Sequence, residues 1–528
     1  MTEFAESGIK KGGFMSLLGL DVGTTGCKAV VFDTEGKVLS AAYREYPLLH
    51  PQPGWIELDM NLVLEKIKEG IREVSSQVKK DPIKALSISA QGEAFVPLDR
   101  KGNLLSNGPV SFDIRGESFV QWWEKALGKE RIMKITGMPL HFMFSLSKIM
   151  WLKENCPHIY GKTWKFLCCE DLLIYKLGLP PTIDYSLASR TMAFDILKKK
   201  WSEEILSRAD IDKTLLPEVV PSGTIVGEIP QRIANDLSFP SKVIVVTGGH
   251  DQSCGALGAG VTEEGMAVEA TGTVDCIASI FKEPYLNKRM LENNFACYPH
   301  TVPQFYITIV FNFTGGSLLK WFRDTLGKEE KEKAKKTGKD VYSVLIDKAT
   351  SLPSPLYLLP HFTATGTPYM DPNSSGAILG LSLNTSKAEL IKAVLEGISF
   401  EMKYNLSLLE ETGIPVYELR AIGGGAKSRK WLQLKADLYG KKMVSLKVSE
   451  APSLGAAILA GVAIGEYSSI EEAVKATVKI KEVFYPQEEK TRIYEEKFQI
   501  YKDIYPTLRS LNHRIRDAAV ASSAEKLR

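Results

Sequence analysis

"LLGLDVGTTGCKAVVFDTEGKVLSAAYREY", Leu17 to Tyr46, is the stretch on which the fold turns. Short runs rich in Val, Leu and Ala are broken by Gly-Thr-Thr-Gly at 23–26 and by Thr-Glu-Gly at 34–36. Apolar runs of this length bounded by tight glycine turns read as strands that fold back on one another, so the stretch predicts an antiparallel three-stranded meander. Helical periodicity then takes over from Leu58 to about Lys79, and "IKALSISA" (83–90) returns as a strand. Strand and helix patterns keep alternating as far as "KVIVVTGGHD" (242–251), which makes this half α/β. The second half opens in the same way, with "GMAVEATGTVDCIASI" (Gly265 to Ile280) as strand, Gly/Thr turn and strand. Two α/β halves with matching openings suggest an ancient duplication, with a cleft between the halves for a ligand.

The totals agree with two domains. A chain of 528 residues is too long for one compact core. Its 66 Lys+Arg stand against 63 Asp+Glu, and a net charge of +3 offers no field for gripping nucleic acid or an anionic membrane. Seven cysteines, with Cys168 and Cys169 adjacent, fit a reduced cytoplasm better than a disulfide framework. The longest uncharged run, 451–465, falls short of the ~20 residues of a membrane span, and its Gly and Ala content predicts a buried, closely packed helix. "GKEEKEKAKKTGKD" (327–340) reads as a solvated helix or surface insert. The first 14 residues show no apolar core of the length a secretion signal needs and read as a loose extension.

Three groups of residues carry candidate chemistry. Tight Gly/Thr turns expose backbone N–H groups suited to phosphate oxygens. In "DVGTTGCK" Asp21 ends a strand, Thr24 and Thr25 add hydroxyls and Lys28 adds a positive charge. One such turn could be an ordinary hairpin, but Thr271, Gly272 and Thr273 repeat it. The common nucleotide fingerprints are missing: "GKT" at 161–163 has Cys156 where a P-loop needs glycine, and "IGGGAKSRK" (422–430) lacks dinucleotide spacing. The second group is "GGHDQSCGALGAG" (248–260), in which Asp251 opens a helix. Asp251 could be a simple N-cap. The glycines at 255, 258 and 260 argue for more, since each costs a helix on the order of 1 kcal/mol relative to alanine unless a backbone or ligand lies close by. His250 reads as a packed neighbour, and seven histidines with no i, i+4 pair do not make a metal site. The third group, at the end of "ALSISA", is Gln91 and Glu93, with Asp113 and Arg115 about twenty residues on; a solvated loop is the alternative.

With these residues in place, the chain resembles the FGGY family of carbohydrate kinases, which includes glycerol kinase, xylulokinase and ribulokinase. The likeness runs from about Leu17 to Leu511 and takes in "HPQPGWIELDM" (50–60), "TGMPLHFMFSLSKIMWL" (136–152), "NFTGGSLLKWFRD" (312–324), the stretch 366–401 and "SLGAAILAGVAIG" (453–465). It implies an α/β fold of two ribonuclease-H-like domains of the actin and hexokinase type with a cleft between them. Residues 15–259 would hold the sugar and the first phosphate turn, and 260–512 the nucleotide, with 1–14 and 513–528 as flexible extensions. It also implies a cytoplasmic enzyme that uses ATP and Mg²⁺ on a small sugar or polyol, without nucleic acid or membrane partners, and it is compatible with a homodimer. By motif match Asp251 is the general base, and Gln91, Glu93, Asp113, Arg115 and Gln252 face the substrate. Thr24, Thr25, Lys28, Gly272, Thr273, Gly316, Lys320, Gly425 and Arg429 line the nucleotide, and Asp21 helps hold Mg²⁺. Gly92 and Met143 stand where glycerol kinases have arginine and tyrosine, which leaves more room and points to a larger polyol or a ketose such as xylulose or ribulose. A nucleotide-binding sensor or assembly protein of the actin type is the alternative.

Overall fold

The structure, a computed structural model, describes residues 15–525, with side chains to residue 518. The N-terminal extension expected over 1–14 lies outside the described residues. Strands β1 (Ser16–Val22), β2 (Gly26–Asp33) and β3 (Val38–Glu45) form the antiparallel meander. Helix α1 (Met60–Gln77) follows, its N-terminus capped by the Asp59 carboxylate, which accepts from the Asn61 and Leu62 N–H groups. Its apolar positions Met60, Val63, Leu64, Ile67, Ile71 and Val74 fall at helical spacing and are all buried. β4 (Ile83–Ala90), the short helix α2 (Tyr185–Ser189), β5 (Ile225–Glu228), β6 (Ile244–His250) and helix α3 (Asp251–Gly258) are the elements of this half that position the site. The six strands lie in the order β5-β6-β4-β1-β2-β3.

The second half repeats that wiring. Its elements are β7 (Gly265–Thr271), β8 (Asp275–Phe281), β9 (Tyr298–Pro299), β10 (Tyr306–Asn312), α4 (Gly316–Thr325), α5 (Lys328–Thr337), α6 (Val341–Lys348) and α7 (Lys387–Thr412). They are followed by β11 (Val416–Gly423), α8 (Arg429–Tyr439), β12 (Lys442–Leu446), α9 (Ala451–Ala463), β13 (Ile480–Phe484) and α10 (Glu488–Glu525). The seven strands run β9-β10-β8-β7-β11-β12-β13. In each sheet the opening strand pairs antiparallel with its hairpin partner on one side and parallel with a later strand on the other. The duplication read from the two openings is thus present in the topology.

The two halves meet on a pair of side-chain-poor helices. Helix α9, the uncharged run, packs Leu454, Ala457 and Ile458 against Leu17, Val30 and Phe32 of the first sheet, although it belongs to the second half of the chain. Leu18, Leu20 and Val22 of the same strand face the other way, toward the core that α1 covers. Gly19 sits between, on the α9 face, where a Cβ would come 1.8 Å from the Ser453 carbonyl oxygen. Helices α3 and α9 cross at equally short range: a Cβ on Gly258 would meet the Ala451 oxygen at 1.8 Å, and one on Gly455 the Cys254 oxygen at 1.9 Å. Of the glycines that cost α3 its helix propensity, Gly258 is the one this crossing requires.

Two expectations change. The charged insert is largely an exposed helix, α5, but Glu330 within it is fully buried and accepts from Lys348 at 2.5 Å and Lys387 at 2.7 Å. The extension expected from 513 onward instead continues α10 to Glu525, and the three residues after it lie outside the described residues. His513 Nε2 lies 2.7 Å from an Asp371 carboxylate oxygen, which ties that helix down. Among the described residues no helix is long and apolar enough to cross a membrane.

Candidate functional site

The ends of β1, β4 and β6 lie side by side, with Val22 and His250 both paired to Ala90. That register brings Asp21, the turn 23–25, Gln91, Glu93 and Asp251 to one edge of the first sheet. The turn is closed by Gly23 N–H on the Gly26 carbonyl at 3.0 Å and pinned from outside by the Tyr46 hydroxyl, which donates to the Gly23 carbonyl at 2.6 Å. Thr24 Oγ1 donates to Gln91 Oε1 at 2.8 Å, so Gln91 braces the turn and does not extend a free amide oxygen toward an acceptor. Asp21 accepts from Ser89 Oγ at 2.9 Å; burial pushes its carboxyl up to about 6, with Lys28 opposing and Glu450 adding to the rise. Lys28 forms a 2.5 Å ion pair with Glu450, which immediately precedes α9.

Asp251 stands at the first turn of α3. The residue in the capping position is His250, and it makes no side-chain capping bond. Asp251 Oδ1 is buried without a hydrogen-bond partner, although 28% of the side chain remains open. Burial pushes this carboxyl up to about 7, the carboxylates of Asp21 and Glu93 add to the rise, and Arg190 opposes it. An N-cap carboxylate would be satisfied by backbone N–H groups and held low, so a simple cap does not describe this residue. His250 is buried with Nδ1 3.0 Å from the Tyr298 hydroxyl and Nε2 3.3 Å from Asp251 Oδ1. Burial holds it well below the usual histidine range, so it is neutral. Gln252 accepts from Cys276 Sγ at 3.1 Å, which carries α3 across to the second sheet.

Glu93 takes a left-handed backbone, φ 65°, in a buried turn. Its carboxylate is held by Arg190, whose Nε donates at 2.6 Å. Arg190 had no place in the reading of the sequence. It lies in "SLASRTMAFDI" (186–196), where every residue is buried, and a lone arginine inside such a run was the available signal. It also corrects the inference of spare room at Gly92. A Cβ there would meet Arg190 Cγ at 3.0 Å and His250 Cδ2 at 3.1 Å, so the space is occupied.

Asp113 and Arg115 are not brought to this edge as free ligands. Asp113 is fully buried; its Oδ1 accepts from Arg115 Nε at 2.7 Å and its Oδ2 from the Ile56 N–H at 2.8 Å and Arg115 Nη2 at 2.7 Å. Arg115 also reaches Glu57 at 2.6 Å and stacks 4.2 Å from the Trp55 ring centre. In this structure the pair locks the 54–57 segment.

On the second sheet a cavity of about 1380 Å³ is bounded by Thr271, Gly272, Thr273, Gly316, Lys320, Gly425 and Arg429, all expected at the nucleotide, with Tyr342, Ile346 and Tyr485 as apolar wall. That exceeds the roughly 300–1,000 Å³ of a typical small-ligand pocket, as an open cleft does. Arg429 is exposed and paired with Glu482. Asp251 and Glu93 do not line this cavity. Beneath its floor lies a cluster that sequence reasoning missed. Lys435, fully buried, donates to Glu269 at 2.5 Å, Thr271 Oγ1 at 2.8 Å and Asp275 at 3.3 Å, and Tyr439 donates to Glu269 at 2.7 Å. The phosphate-type turn of this half therefore rests on a buried cation.

Among the described residues no group of three His, Cys, Asp or Glu is placed to hold a metal ion. Asp21 as one carboxylate fits an ion that keeps most of its waters and completes its shell with phosphate oxygens, as Mg²⁺ does.

Residues 16–258 match the family model for the N-terminal domain of the FGGY family of carbohydrate kinases, and 267–464 match that for its C-terminal domain. The xylulose kinase of Staphylococcus xylosus is 28% identical over 490 residues, covering 93% of this chain and 99% of the relative. A glycerol kinase of Saccharolobus islandicus is 31% identical over 496 residues, covering 90% and 94%. The crystal structure of ligand-bound xylulose kinase from Lactobacillus acidophilus has the same fold, with a TM-score of 0.86 at 24% identity over 95% of this chain and 100% of that one.

Proposed function

This chain belongs to the FGGY family of carbohydrate kinases, and from that premise we propose that it transfers the γ-phosphoryl group of ATP to a primary hydroxyl of a free sugar or polyol, with Asp251 as general base. The relatives named xylulose kinase support a ketose such as xylulose or ribulose as acceptor. The observation that carries the reading is the Asp251 carboxyl: its Oδ1 is buried without a hydrogen-bond partner, and it is set where α3 crosses between the two halves. Residues 15–259 and 260–512 are the two lobes, the first for the acceptor and the second for the nucleotide.

Phosphoryl transfer passes through a loose transition state, so placing the groups and neutralising charge do most of the work. Thr24, Thr25, Gly272 and Thr273 offer turn donors to the phosphates, and Lys28 adds charge once it leaves Glu450. Lys320, Gly316, Gly425 and Arg429 line the rest of the nucleotide. Asp21 would hold Mg²⁺, which would supply charge neutralisation for the phosphate oxygens. Asp251 takes the hydroxyl proton as the oxygen–phosphorus bond forms, and a carboxyl poised near 7 is a better base for that step than one at its ordinary value. Neutral His250, whose Nε2 lies 3.3 Å from Asp251 Oδ1, packs beside the carboxylate. Glu93 and Gln252 orient neighbouring hydroxyls. Closure of the lobes about α3 and α9 excludes water, which would otherwise accept the phosphoryl group.

The test is a coupled ADP-release assay over a panel of ketoses, aldoses and polyols, with mass spectrometry of the product. Acceptor-dependent ADP release with a mass gain of one phosphoryl group is expected. Slow ATP hydrolysis indifferent to every acceptor would overturn the proposal in favour of a nucleotide sensor.

A further inference from the structure

We infer that Arg190, together with Glu93, is the specificity-determining pair of the acceptor site and selects an uncharged acceptor with two adjacent oxygens. The inference rests on the functional reading above. Arg190 ends helix α2, whose start is fixed by Asp184 accepting from the Ser186 and Leu187 N–H groups at 2.7 and 2.9 Å. Only 7% of the residue is exposed. The guanidinium lies 5.2 Å from the ring centre of Phe144 and 5.6 Å from that of Tyr298, the same tyrosine that holds His250 beside Asp251.

A guanidinium has five N–H donors, and leaving them unmet in a buried place is costly. Nε and Nη2 both turn to one oxygen of Glu93, and Nη1 has only the Met138 sulfur, at 3.8 Å. Nη1 therefore has no oxygen partner. An oxygen of the acceptor would satisfy it, while a neighbouring hydroxyl donates to Glu93. A diol or a hydroxy-ketone presents that combination.

Charge decides between neutral and acidic acceptors. Glu93 already neutralises Arg190, and both Asp21 and Glu93 lie close enough to Asp251 to add to the rise of its carboxyl. The other cation near Glu93, Lys148, is buried and donates to the Val110 and Met143 carbonyls, so a further carboxylate would enter without a partner to receive it and an aldonate is disfavoured.

Three proteins are compared: wild type, Arg190→Lys and the double variant Glu93→Gln/Arg190→Met, which removes the pair without leaving a buried charge alone. Acceptors are xylulose, ribulose, glycerol, gluconate and monodeoxy analogues of whichever neutral acceptor the wild type uses best. The acceptor KM is expected to rise at least tenfold in both variants while the ATP KM stays within twofold. The wild type should reject one monodeoxy analogue by 10²-fold or more in kcat/KM, and the double variant should treat it like the parent within threefold, since a site built to bond a hydroxyl discriminates through that bond. An acceptor KM unchanged within threefold in both variants, or a wild-type preference for gluconate, overturns this inference alone. Absence of acceptor-dependent turnover in the wild type overturns it together with the kinase reading.

Discussion

Replacing Asp251 by Asn should make the protein slower and more stable at once. A positioned general base contributes about 10²–10⁴ in rate, equivalent to about 3–5 kcal/mol in the barrier, and an amide cannot take the proton. Turnover is therefore expected to fall by at least 10²-fold, with acceptor KM little changed, because Asn keeps the shape and one hydrogen-bonding oxygen. The stability effect follows from the same carboxyl. The fold raises it from an ordinary 3.8 to about 7, so the folded state favours the protonated form. Stability is then lost as pH rises from about 4 to about 7 and is level above that. At about 1.4 kcal/mol per pKa unit the full penalty is about 4 kcal/mol at pH 8 and about 2 kcal/mol at pH 5.5. Both figures are upper ends, because 28% of the side chain is open to water. Asn carries no such penalty. Denaturant titrations of the apo-protein at the two pH values, with ADP release under saturating ATP and acceptor, measure both effects. Wild-type kcat/KM should also fall on the acid side of about 7, a limb the variant lacks. Turnover within tenfold of wild type, or a variant less stable than wild type at pH 8, would refute the reasoning and return Asp251 to a structural role.

Lys435→Met strands Glu269 and Asp275 in the core, and removing one partner of such a buried cluster costs about 3–5 kcal/mol; denaturant midpoints should show that loss, and adding Glu269→Gln should recover part of it. A loss under 1 kcal/mol would mean the cluster does not carry the turn at Thr271. Gly258→Ala puts a Cβ where the Ala451 oxygen lies 1.8 Å away, so the α3–α9 crossing must open; overpacking of this kind costs about 1–3 kcal/mol, and a thermal melt as stable as wild type would contradict the close crossing. Glu450→Gln removes the partner that holds Lys28 away from an incoming phosphate. A half-exposed ion pair is worth about 0.2–1 kcal/mol, so the ATP KM should drop about 1.5–5-fold, and a rise instead would give Glu450 a positive part in nucleotide binding.

The architecture was legible because period and turn chemistry are local signals. Leu17–Tyr46 alternates and turns within thirty letters, and Gly265–Ile280 repeats it, so both hairpins and the α/β class could be read without any long-range contact. Asp251 was legible for a related reason, because glycines that weaken its helix announce a backbone approach, and α9 makes that approach. What escaped the sequence was partnership. Asp113 and Arg115 sit two residues apart and look like a polar cluster near a strand end, but the Ile56 N–H and Glu57, more than fifty residues upstream, complete their bonds and draw them into scaffold. Arg190 was overlooked for the converse reason. Its neighbours in sequence, Ser189 and Thr191, are small and uncharged, and its partner Glu93 lies 97 residues away. The empty letter at Gly92 was misread on the same account, since a position without a side chain is vacant only if nothing else reaches it. A charge's role depends on which opposite charge folds against it, and in a topology where β1 is flanked by β2 and β4 and the chain returns through α2 to the same edge, that pairing is set by the crossovers between strands. The edge that carries Asp251 is therefore assembled from the returns of the chain, with Arg190 filling from one crossover the space that Gly92 leaves open on another.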